Sequence, residues 1–146
     1  MTIRGLATSI ILLILLSVGC TVDDTSTKSS SAGNTGSSDG MRVVDAGAEF
    51  DELLKTSKNP ILVQCYTPWC AKCRQLLPLL RQLEAEYTDK ALFVKVNTAE
   101  ADEFKARYHV VILPLLLFFK EGREQARLMG SVRESDIRDT LDGLLN

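Results

Sequence analysis

Histidine is nearly absent from this 146-residue sequence: His109 is the only one. Together with Cys65, Cys70 and Cys73 it offers no second ligand pair at the spacing of a tetrahedral zinc site. No metal and no organic cofactor are expected. An excess of one charge is also missing. Residues 41–146 hold 15 Lys/Arg against 16 Asp/Glu, with no basic stripe. Nonspecific phosphate binding needs clustered positive charge, so nucleic acid is not an expected partner. No internal repeat is visible. Large hydrophobes are missing from residues 21–40 apart from Val22, and thirteen of those 20 residues are Ser, Thr or Gly. Such a segment cannot bury enough apolar surface to offset its ordering entropy. It reads as a flexible linker whose ends lie roughly 25 Å apart.

Charge is missing altogether from residues 5–22, and Ile10 to Leu16 is wholly apolar. Arg4 gives a short basic start, and the small residues Ser17, Val18 and Gly19 lead into Cys20. This is the pattern of a secretory signal. The stretch Leu16-Ser17-Val18-Gly19-Cys20 resembles a bacterial lipobox, although Ser17 stands where leucine is usual. The resemblance implies a lipid at Cys20 as the first residue of the mature protein. Two other outcomes stay open: an uncleaved anchor, since 18 uncharged residues are just long enough to span, and plain cleavage. In each of them Arg4 stays inside and the rest is exported. The expected organisation is a signal with a lipobox-like end (1–20), a linker (21–40) and one domain (41–146) long enough for a single core.

Within that domain the hydrophobic pattern alternates between strand and helix. Arg42 to Val44 reads as a short edge strand. Ala48 to Thr56 reads as a helix with Phe50, Leu53 and Leu54 on one face. Ile61 to Tyr66 is an apolar strand broken only by Gln64. Cys70 to Tyr87 reads as a long helix carrying Leu76, Leu80, Leu83 and Tyr87 at helical spacing. Ala91 to Asn97 is a second central strand and Ala101 to Tyr108 a short helix. Pro114 to Lys120 is a third strand, turned by Glu121-Gly122 into Gln125 to Met129. A last helix runs to about Leu145, with Ser131 and Glu134 as a candidate capping box. Strands separated by helices predict an α/β domain, a central mixed sheet with helices on both faces.

Trp69-Cys70-Ala71-Lys72-Cys73 is the stretch that carries chemistry. Thr67-Pro68 ends a strand and a helix begins at Cys70, so the first thiol meets unpaired N–H groups and the positive end of the helix dipole. Such settings lower a cysteine pKa from about 8.5 to roughly 3.5–7.5. The second sulfur lies within reach of the first, a geometry suited to thiol–disulfide exchange. The rival is a static structural disulfide, but so short a loop constrains the unfolded chain little. Cys65 reads as a small buried hydrophobe in its strand, and His109 as a residue of a helix end.

Residues 41–146 resemble the thioredoxin family over essentially their whole length. Trp69 precedes the first cysteine, Pro78 lies five residues after Cys73, and Val111-Ile112-Leu113-Pro114 leads into Leu115 to Gly122 as the family's cis-proline loop, strand and turn do. Gly130 and Lys95 fall on further family positions. The resemblance implies a thioredoxin fold. It also implies Cys70 as the exposed nucleophile, Cys73 as the buried resolving thiol, a cis Pro114, and docking of an extended partner by Trp69, Ile112, Leu113, Pro114 and Gly130. It implies a monomer that exchanges disulfides with protein substrates and needs a redox-recycling partner. Two departures bear on redox tuning. Gln64 stands where the family has a buried carboxylate paired with the lysine, here Lys95, and an amide cannot act as a base. Lys72 places a cation between the cysteines, which favours thiolate and hence the reduced pair. Overall resemblance favours the reductase direction. A disulfide-donating oxidase or isomerase, and a non-catalytic binding module, stay open.

Overall fold

The computed structural model describes residues 40–146. The signal-like segment 1–20, its Cys20 and residues 21–39 of the linker lie outside the described residues. Among the described residues no helix is long and apolar enough to cross a membrane.

Five strands and four helices follow one another as β1 (Arg42–Val44), α1 (Ala48–Thr56), β2 (Ile61–Tyr66), α2 (Ala71–Glu86), β3 (Leu92–Asn97), α3 (Asp102–Tyr108), β4 (Leu115–Lys120), β5 (Arg123–Met129) and α4 (Glu134–Leu145). The sheet order is β1-β3-β2-β4-β5. β1, β3 and β2 run parallel, and β4 and β5 continue the sheet antiparallel. β2 and β4 are buried almost throughout, which is why they read as continuous apolar runs rather than alternating ones.

The strand period of two sorts the core into two layers. Ile61, Val63, Cys65, Val94, Val96, Leu115 and Leu117 face Phe50 of α1 and Phe104 of α3. Leu62, Phe93, Leu116 and Phe118 face Leu80 and Leu83 of α2 and Ile137 and Leu141 of α4. Phe50 sits at the centre of the first layer, edge-on to Phe104, Tyr108 and Phe119 at 5.2–5.7 Å between ring centroids. On the second, Tyr87 Oη donates to Asp142 Oδ1 at 2.7 Å and ties the end of α2 to α4.

The element ends differ slightly from the pattern. β4 begins at Leu115 rather than Pro114, since proline has no N–H to give the ladder. β5 begins at Arg123 rather than Gln125, because Glu121 and Gly122 both have positive φ (54° and 74°) and close a two-residue hairpin. A side chain on Gly122 would also meet the Leu54 carbonyl oxygen at 3.2 Å. The capping box at Ser131 is not formed. The N-cap of α4 is Arg133, in extended conformation and without a side-chain cap. The helix start is instead served by Glu134 and Asp136 in its first turn, acids that complement the N-terminal dipole.

Candidate active site

The site grows from the end of β2. Thr98 fixes that end, its N–H and Oγ1 both donating to the Tyr66 carbonyl at 2.8 and 3.1 Å. The chain then turns through Thr67-Pro68-Trp69, and the Cys70 N–H returns to the Thr67 carbonyl at 3.1 Å. Arg74 braces this turn from the first part of α2, donating from Nη1 to the Pro68 carbonyl at 2.9 Å. That contact joins residues six apart across a change of structure, and no sequence periodicity marks it.

Cys70 is the N-cap of α2, and its sulfur accepts the Cys73 N–H at 3.2 Å. It is joined to Cys73 as a disulfide, with Cα atoms 5.3 Å apart. Cys70 is half-buried, while Cys73 is buried. Of the two cysteines, Cys70 is the more open to solvent. When the bond opens, negative charge on Cys70 meets an amide donor and the positive end of a 16-residue helix. Cys73 Sγ lies 4.0 Å from the Cys65 carbonyl oxygen, the acceptor a thiol there would meet. Pro78 lies inside α2 and leaves the Arg74 carbonyl without its helical donor.

Gln64 and Lys95 sit opposite each other in the β2–β3 pair, on the face toward α2, and both are buried. The Gln64 amide does not address a sulfur. Its Nε2 donates to the Cys73 carbonyl at 3.0 Å, holding the backbone beneath the resolving cysteine. Lys95 Nζ lies 5.5 Å from the Tyr66 ring centroid, within cation–π range. Gln64, Lys95, Cys73, Arg74 and Leu77 all line one cavity of about 260 Å³. Two cations and an amide thus surround the space beside Cys73.

The Leu113–Pro114 peptide is cis. Gly130 N–H donates to the Pro114 carbonyl at 2.9 Å, so the loop is pinned to the end of β5. Pro114 is buried and Leu113 turns partly into the core layer of Phe50. The exposed apolar surface is carried by Trp69 and Ile112, with Val111 beside them. Val111, the middle of three successive β-branched residues before Leu113-Pro114, is not singled out by the sequence pattern and is 80% exposed. Lys72 is exposed and lines a second groove with Pro114 and Gly130.

The remaining candidates lie apart. Cys65 is a free thiol, fully buried on the opposite face of β2, and burial pushes it up to about 12. It stays protonated and inert near neutrality. His109 is exposed at the C-cap of α3, in left-handed conformation (φ 52°). No group of three or more His, Cys, Asp or Glu among the described residues could hold a metal ion.

The family model described as Thioredoxin matches residues 42–143. Thioredoxin 1 of Synechococcus elongatus is 33% identical over 95 residues, covering 65% of this chain and 89% of that protein. The chloroplastic thioredoxin M-type of Spinacia oleracea is 30% identical over 99 residues, covering 68% of this chain and 55% of that protein. The chain thus spans little more than half the length of the spinach relative. Among solved structures, Fasciola hepatica thioredoxin superposes with a TM-score of 0.64 at 30% identity, covering 71% of this chain and 99% of that one. A mutant thioredoxin from Halobacterium salinarum gives a TM-score of 0.65 at 27% identity, covering 77% and 96%.

Proposed function

The chain belongs to the thioredoxin family, and on that basis we propose that it is a thiol–disulfide oxidoreductase acting on protein substrates. The observation that carries this reading is the asymmetry of the pair: a reachable Cys70 sulfur at a helix N-terminus, bonded to a buried Cys73. In the reduced protein the Cys70 thiolate attacks one sulfur of a partner disulfide. The other partner sulfur leaves as thiolate, and a mixed disulfide forms. Cys73, losing its proton, then attacks Cys70 Sγ and expels the second partner sulfur. Two electrons have passed to the partner, and the Cys70–Cys73 disulfide is restored. A separate dithiol donor must reduce it before the next turnover.

The direction proposed is reduction of partners. Reduced chain should catalyse insulin reduction, and Cys70→Ser should not; equal rates from the two proteins would refute the catalytic reading. The reduction potential decides direction. A value near or below about −270 mV supports a reductase, and one near about −120 mV makes the protein a disulfide donor.

The site of action proposed is outside the cytoplasmic membrane, with the domain tethered by a lipid on Cys20. The charge-free run behind Arg4 and the Leu16 to Cys20 stretch support it. Palmitate labelling of the membrane fraction should be lost in Cys20→Ser. Label that persists in that variant rules out Cys20 as the anchor.

A further inference from the structure

On the reading that Cys70 and Cys73 exchange disulfides with proteins, we propose that the groove beside them selects extended substrate segments bearing a carboxylate next to the reacting cysteine. Lys72 is the residue that reads that carboxylate. The groove has a volume of about 340 Å³ and lies between α2 and the Pro114–Gly130 contact. Leu76, Leu79 and Val132 give it an apolar lining, and Lys72 is its only charged lining residue.

Six of the other cations among the described residues are ion-paired. Arg42, Lys105, Arg107, Arg127, Arg133 and Arg138 each lie within ion-pair distance of a carboxylate. Lys72 makes no such pair among the described residues. The first turn of α2 contains no acid to provide one. An unneutralised ammonium beside an apolar wall attracts a carboxylate more strongly than one in open water, because the wall lowers the local dielectric. Trp69, Val111 and Ile112 are uncharged and 72%, 80% and 53% exposed. Apolar area there adds affinity, and within the groove the sign of the charge preference falls to Lys72.

The test uses three cystine peptides that differ only in a Glu, Gln or Lys beside the reacting cysteine. Each kcat/KM with the full chain is normalised to the same peptide's rate with dithiothreitol, which removes intrinsic reactivity. The expected order is Glu, then Gln, then Lys, with roughly fivefold between first and last at low salt. The span should narrow as salt rises. Lys72→Glu should invert the order. Because peptides are ranked within one protein, any change that this substitution makes to Cys70 reactivity or to the potential cancels. Equal rates on Glu and Lys peptides, or an order that survives Lys72→Glu, would overturn the assignment while turnover on the Gln peptide leaves the exchange reading standing. No turnover on the Gln peptide would sink both.

Discussion

Cys73→Ser arrests exchange at a mixed disulfide between Cys70 and its partner, and turnover falls to the uncatalysed level. The first step needs only the Cys70 sulfur, which is reachable and keeps its place at the helix N-terminus. The second step needs a thiol within bonding distance of Cys70 Sγ, and a serine hydroxyl cannot displace a sulfur. Cys65 cannot substitute. Its side chain lies in the other core layer, and burial holds its thiol up to about 12, so almost no thiolate forms near neutrality. Non-reducing electrophoresis or intact-mass measurement of residues 41–146 should show the partner accumulating on Cys73→Ser and not on Cys70→Ser. Multiple turnovers by Cys73→Ser, or an adduct on Cys65, would show that resolution follows another path.

Gln64→Asp speeds release of the partner from that mixed disulfide by roughly a hundredfold, the low side of what a positioned base contributes. Release requires the Cys73 proton to leave. The residue beneath Cys73 is an amide committed to a backbone carbonyl at 3.0 Å, and it has no basic site. The cavity of about 260 Å³ shared by Gln64, Cys73 and Lys95 is large enough to admit water beside the resolving thiol. A carboxylate at this position faces both that space and Lys95, its neighbour across the strand pair. It would take the proton directly, and release should slow as pH falls through the carboxylate's pKa. The substitution also removes the donor to a buried carbonyl, which costs about 1–3 kcal/mol of stability. Stopped-flow release over a pH series, beside a urea titration, separates the two effects. Unchanged release with lowered stability would make Gln64 purely structural.

Much of the fold is legible in the sequence because it rests on local periodicity. The five strands and four helices fall within a few residues of their hydrophobic patterns. The boundaries that differ, at Leu115, Arg123 and Arg133, are set by a missing proline N–H, a positive-φ hairpin and an unformed cap. Those depend on backbone conformation rather than on side-chain pattern. The cysteine pair at the start of α2 is legible for the same local reason: a strand ends at Thr67-Pro68, and the next helix must begin with unpaired N–H groups facing Cys70.

What the pattern leaves open concerns residues far apart in sequence. Gln64 reads equally well as a partner of the cysteines or as a packing residue, and the fold puts its amide on the Cys73 carbonyl. Arg74 on the Pro68 carbonyl has no sequence signal at all. Leu76 has the spacing of a core leucine and packs partly against the layer of Leu80 and Leu83, yet with Leu79 it also lines the groove beside Lys72. Residue order is enough to dictate the elements, the paired thiols and their place at a helix start, all short-range consequences of residue type. What lies beneath and beside those thiols is a product of packing. Helix α2 must pack on β2 and β3 before Gln64, Lys95 and Cys73 share one cavity, and the Pro114 loop must be pinned to Gly130 before Lys72 borders a groove.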